Sequence, residues 1–147
     1  MPIDFTNTLV VGISSRALFD LEEENKIFEE QGVVAFREFQ KQHETTILKK
    51  GTGFHIVKAL LNLNKFAIDD KRLVEVIVMS KNSPETGLRV LNSIIQYELD
   101  ITRSAFTGGE PLYDYIDAFS VDLFLSKDEE DVQKVIDSNS ASAAFNL

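Results

Sequence analysis

Cysteine and tryptophan are absent from the 147 residues, histidine and methionine occur twice each, and proline three times. Without cysteine there is no disulfide and no thiolate metal site. With only two histidines, a zinc or haem centre lacks its usual ligands. Long apolar runs are missing as well, since none approaches the about 20 residues of a membrane helix. Positive charge is scarce, with 15 Lys and Arg against 24 Asp and Glu and a formal charge of −9. Nucleic acid and anionic membrane surfaces both need positive fields, so neither is expected as a partner. The opening MPIDF lacks the basic-then-apolar layout of a secretory leader. What is present, 44% hydrophobic residues in one domain's length of chain, is enough for a core without staples. A soluble, cytoplasmic globular domain is expected.

The pattern along the chain is strand, helix, strand, helix. Residues 8–13 (TLVVGI) read as a buried strand. Residues 20–31 form an amphipathic helix with acids in its first turn, closed by Gly32. Residues 33–44 form a second helix with Val33, Phe36 and Phe39 on one face. Residues 45–53 read as a loop and 54–63 as a third helix. The second strand is 72–79 (RLVEVIVM). Ser83 and Pro84 then stand at the N-cap and first position of a helix over 85–98. Strands at 101–106 and 121–125, a short helix at 110–119 and a last helix at 128–137 complete the chain. The Ser/Ala/Asn-rich tail, 138–147, is expected to be weakly ordered. This alternation predicts an α/β fold in three layers: four to five parallel strands, the first central, with helices on both faces. The predicted domain is single, over 1–137, and the helical stretch over about 20–52 is long enough for a small cap above the strand ends.

Ligands of such sheets bind outside the carboxyl ends of the strands. Four loops meet there: Ser14-Ser15-Arg16, Ser80-Lys81-Asn82-Ser83, Thr107-Gly108-Gly109-Glu110 and Ser126-Lys127-Asp128. In a strongly acidic chain this edge leans slightly positive. Hydroxyls and main-chain N–H groups hold phosphate, and Arg16 is able to grip two of its oxygens at once. An anion site, most simply for a phosphate group, follows, with Ser14, Ser15, Arg16, Ser80, Lys81, Asn82, Gly108 and Gly109 as its residues. The same residue types also suit turns. Ser14 and Ser83 are natural helix caps, Arg16 has Glu22 and Glu23 as partners within reach, and Lys81 and Lys127 suit solvent.

Acids are harder to place. Asp128 is the one candidate metal ligand, although the run Asp128-Glu129-Glu130-Asp131 reads equally as a solvated helix start. Asp20 belongs to the start of a helix. His43 is expected at the surface and His55 against apolar neighbours. Phe28, Phe36, Phe39 and Phe54 are read as core, with a cap aromatic that stacks a purine as the alternative.

Four stretches, ISSRALFDLEEENKIFEEQGVVAFREFQKQHE, MSKNSPETGLRVLNSI, LDITRSAFTGGEPL and VDLFLSKDEEDV, resemble the cytosolic 5′-nucleotidases of type I. These belong to the haloacid dehalogenase-like superfamily. The resemblance covers about residues 9–144 and is to the first half of longer, two-part proteins. It implies a haloacid dehalogenase-like (Rossmannoid) fold, magnesium as cofactor, and hydrolysis of nucleoside monophosphates to nucleoside and phosphate. The family's Asp-x-Asp motif, which supplies nucleophile and general acid, lies in the second half. Laid on this chain it falls on Ile13 and Ser15. The superfamily's Thr/Ser after the second strand falls on Ser80, its Lys has no clear match near 109–112, and its acidic pair falls on Ser126 and Lys127, beside Asp128.

An isoleucine has no lone pair with which to attack phosphorus. The expectation is therefore a domain that binds a phosphate or nucleoside monophosphate, or assembles with itself or with a second catalytic half. The alternatives are a magnesium-dependent nucleotidase with atypical carboxylates at Asp20 or Asp128, and a purely structural or oligomerisation domain.

Overall fold

The computed structural model describes residues 6–145, so residues 1–5 of the expected domain and 146–147 of the expected tail lie outside the described residues. Strand β1 (Leu9–Ser14) runs into one helical turn, α1 (Ser15–Leu18), and a two-residue strand, β2 (Phe19–Asp20). Then come α2 (Glu22–Gln42), β3 (Lys49–Lys50) and α3 (Phe54–Asn62), which continues into a 3₁₀ turn, Leu63–Phe66. The second half holds β4 (Val74–Ser80), α4 (Pro84–Gln96), β5 (Arg103–Phe106), a 3₁₀ turn at Leu112–Tyr115, β6 (Leu123–Ser126), α5 (Glu129–Ser138) and β7 (Ser142–Phe145).

Strand periodicity explains the layers. Successive side chains of a strand point to opposite faces. In β1, Val11 and Ile13 join one core with Val76 and Val78 of β4, Val57 of α3, and Val90 and Ile94 of α4. Val10 joins the other core with Ile77, Met79, Leu112, Ile116, Phe124, and Val132 and Val135 of α5. Because both faces are covered, β1 after Leu9 and the whole of β4 are buried, as parallel sheets require. The sheet order is β5-β4-β1-β6-β7, and every neighbouring pair is parallel. The expected α/β sheet with β1 central is what the chain forms. The strand order reverses between β1 and β6, which opens a crevice at their carboxyl ends.

The structure corrects three element readings. The 45–53 loop contains β3, which pairs antiparallel with β2, Phe19 opposite Lys50 and Asp20 opposite Lys49. The helix expected over 110–119 is only the short 3₁₀ turn. The segment read as a weakly ordered tail supplies β7, whose Ser142–Phe145 pair with Leu123–Ser126. Backbone pairing, which small side chains do not advertise, orders it. Ring readings change as well. Phe54 is in the core, but Phe28 is exposed, and Phe36 and Phe39 are half-buried outside both cores. His55 is exposed and meets only the edge of Phe54, its ring centre 5.7 Å away.

Candidate functional site

Three adjacent strands, β4, β1 and β6, each end in a serine: Ser80, Ser14 and Ser126, all buried. Above them lies a cavity of about 490 Å³. All eight predicted residues, Ser14, Ser15, Arg16, Ser80, Lys81, Asn82, Gly108 and Gly109, line it, as does Asp128.

Hydrogen bonds fix the floor. Ser14 Oγ accepts the Ala17 amide at 3.2 Å and caps α1. Ser15 Oγ donates to Ser80 Oγ at 3.1 Å, and the Asn82 amide donates to the same oxygen at 3.2 Å. Ser80 Oγ thus accepts the Asn82 amide and shares a hydrogen bond with Ser15 Oγ. The glycine amides are committed elsewhere. Gly108 N–H donates to Asn82 O at 3.1 Å and Gly109 N–H to Lys81 O at 2.6 Å. These two residues, both at positive φ, tie the loops after β4 and β5 together, and their N–H groups do not face an anion.

The cations are unequal. Arg16 Nη2 lies 3.4 Å from Glu22 Oε1, and Lys127 Nζ lies 3.3 Å from the same oxygen. Arg16 Nε is buried without a hydrogen-bond partner among the described residues, so this guanidinium keeps an unused donor. Lys81 is paired with two acids: its Nζ donates to Asp128 Oδ2 at 2.9 Å and lies 3.0 Å from Asp131 Oδ2. Burial works to lower the Lys81 pKa, but the two carboxylates prevail and hold it above its ordinary value. Burial likewise pushes Asp128 up, yet Lys81 and the amides of Asp131 and Glu130 hold it below the ordinary range. In Asp131 burial wins and its pKa is raised.

Asp131 is therefore no solvated helix residue. It is buried and one turn from Asp128, whose Oδ1 caps α5 by accepting the Asp131 amide at 3.0 Å. The spacing of three, which puts both carboxylates on one helix face, was the available signal.

Magnesium takes carboxylate and other oxygen ligands in near-octahedral order. The two carboxylates of this wall both hold an ammonium, and among the described residues no group of three or more His, Asp or Glu gathers. An ammonium in contact with both acids occupies the ground a divalent cation would need. The residues present do not fit a magnesium ion. Asp20 stands outside the cavity lining, its Oδ1 accepting the Glu22 amide at 3.2 Å. Ile13, at the expected nucleophile position, is fully buried in the core.

The opposite wall belongs to α2, and sequence reasoning missed most of it. Leu21, Glu24, Asn25, Phe28, Val33, Phe36, Arg37 and Gln40 line the cavity from this side. Gly32, at φ 89° and ψ −177°, breaks the helix into two and lets both segments bend over the strand ends. The spacing of Val33, Phe36 and Phe39 marks one helix face in the sequence and the phenylalanines read there as core, whereas Val33 and Phe36 line the cavity and Gln40, which the sequence did not single out, joins them. His43 lies off this wall, stacked on Phe39 with 4.1 Å between ring centres.

The model of the family described as 5′-nucleotidase matches residues 1–146. The chain belongs to the 5′-nucleotidase family. A curated relative, human (Homo sapiens) cytosolic 5′-nucleotidase 1B, is 34% identical over 143 residues, which is 95% of this chain and 23% of that protein. The chain thus spans about a quarter of the length of this 5′-nucleotidase relative. No solved structure matches it.

Proposed function

We propose that this 5′-nucleotidase-family domain binds a nucleoside monophosphate by its phosphate at the carboxyl ends of β4, β1 and β6, without hydrolysing it alone. The observation that carries the reading is the floor of the cavity, where three neighbouring strands end in hydroxyls and none in a carboxylate. Arg16 Nε supplies a donor without a partner among the described residues, the strand-end serines supply hydroxyls, and Arg16 neutralises the anion. Lys81, bound to Asp128 and Asp131, orders the loop after β4 and contributes little net charge. Among the described residues of the floor no nucleophile is paired with a neighbouring base, and the two nearest acids, Asp128 and Asp131, are committed to Lys81. On this reading the acids of the family's hydrolytic activity come from a second catalytic half, or from another copy in a homo-oligomer. A cytosolic setting is part of the proposal, taken from the name of the human relative. Among the described residues no helix is long and apolar enough to cross a membrane.

Calorimetric titration at low salt with inosine monophosphate and with inorganic phosphate tests the binding. A malachite-green assay with magnesium tests turnover. Heat of binding without phosphate release is expected, with at least tenfold weaker binding in Arg16→Ala, because a charge-assisted contact is worth about 1.5–3 kcal/mol. Absence of heat with either ligand overturns the reading, and steady phosphate release replaces it with a working nucleotidase.

A further inference from the structure

The cavity wall facing the serines carries a second, different kind of chemistry. Gln40 is only 3% exposed and lines the cavity, and its Nε2 has no hydrogen-bond partner among the described residues. A buried amide left unsatisfied is costly and therefore uncommon. The orientation of this amide is fixed by its neighbour. Gln40 Oε1 accepts from Arg89 Nη1 at 3.3 Å. Arg89 is itself held by the buried Glu24 carboxylate and by Thr46 O at 2.9 Å. Turning the amide over would set its NH₂ against a guanidinium, donor against donor. The unsatisfied donor is thus held in place by an ion pair.

Apolar surface adjoins it. Phe28 and Phe36 meet edge to face, their ring centres 5.8 Å apart, and both line the cavity with Leu21 and Val33. Phe28 remains 46% exposed, an unusual state for a ring on a concave wall. A ligand that satisfies this side needs a flat apolar body and a hydrogen-bond acceptor on its edge. A phosphate or a sugar phosphate has acceptors but no flat apolar body to lie against the rings, whereas a nucleobase with a ring nitrogen or carbonyl has both. The volume, about 490 Å³, lies within the range of small-molecule sites, about 300–1,000 Å³.

We infer that Gln40 is the base-reading residue of this domain, donating Nε2–H to an acceptor on a nucleobase seated against Phe28 and Phe36. The inference rests on the nucleotide-binding reading and deepens it. Glu24 and Arg89 act as positioning residues that hold the amide.

The test is calorimetry on the intact chain with three probes: inorganic phosphate, ribose 5-phosphate and inosine monophosphate. The unmodified protein is expected to bind inosine monophosphate at least tenfold more tightly than ribose 5-phosphate. Gln40→Met, which keeps shape and removes the donor, is expected to lose about five- to tenfold toward the nucleotide, the size of one hydrogen bond. It should leave ribose 5-phosphate unchanged. Phe28→Ala, at an exposed position that folding tolerates, should show the same selective loss. Equal binding of ribose 5-phosphate and inosine monophosphate by the unmodified protein overturns the inference and leaves the phosphate reading standing. Full nucleotide affinity in a folded Gln40→Met overturns it too. No binding of any probe overturns both readings.

Discussion

Arg89 shows how much one residue organises. Its guanidinium joins Glu24 and Gln40 of α2 to α4, and all three side chains are buried. Removing one partner of a buried pair strands the other charge, at a cost of about 3–5 kcal/mol. Arg89→Met should therefore lower the urea-unfolding free energy by about that amount. The double variant Glu24→Met, Arg89→Met should recover much of the loss, because no charge is then left alone. A double variant no more stable than Arg89→Met would show that the pair is not what matters. A titration effect belongs to the same scale. Asp128 is held below its ordinary value of 3.8, so between that value and its folded one the unfolded chain binds more protons. Stability rises with pH across this window and the contribution is complete above it. Asp128→Asn should be less stable than the parent at pH 6, and the gap should close as pH falls through the depressed pKa. Urea midpoints measured against pH report this directly. Asp131, whose pKa is raised, acts with the opposite sign: its share is present in acid and is lost as pH rises through the raised value. Asp131→Asn should therefore narrow its deficit, or gain on the parent, as pH rises.

At the level of elements, α2 is the part that local pattern describes and tertiary closure explains. Its two segments and the break at Gly32 are visible in the residues, since glycine alone favours the backbone found there. What α2 covers is not visible, because Phe28 and Phe36 have the spacing of any apolar face, and Gln40 that of any polar neighbour, until the strand ends are placed beneath them. The strand-end serines were legible for the converse reason: a buried run ending in a hydroxyl marks its own carboxyl end. β2, β3 and β7 escaped because two-residue strands have no period and Ser-Ala-Ala-Phe has no β-branched residue. At Gly32 an added Cβ meets nothing within 4 Å, so the cost of Gly32→Ala is one of backbone alone, about 1–3 kcal/mol for this glycine-only region. The expected signature is local. Amides of Glu22–Gln42 should exchange faster with solvent while those of β1 and β4 stay protected. Uniform loss of protection would mean that the cap and sheet unfold as one unit.

Among the described residues the molecule is a sheet with β5 and β7 at its edges and a cavity over its middle. The edge at β7 is the more consequential, because β7 covers β6, and β6 carries both Ser126 of the cavity floor and Phe124 of the second core. Ala143 of β7 packs on that core, and the Ser142 amide donates to Asp122 O at 3.0 Å. Ending the chain at Asn139 removes this strand and leaves the backbone donors and acceptors of a buried, apolar strand without partners. Unpaired edges of that kind recruit other strands. The shortened chain should unfold at lower urea by more than the about 0.5 kcal/mol of an ordinary surface change. Its mass by light scattering should exceed that of the intact chain at equal concentration and grow as concentration rises. Since β6 ends at the cavity floor, phosphate binding should weaken with it, even though none of the described residues removed lines the cavity. An intact mass, an unchanged urea midpoint and full phosphate affinity in the shortened chain would show that β7 is an ornament of the sheet rather than the support of its site.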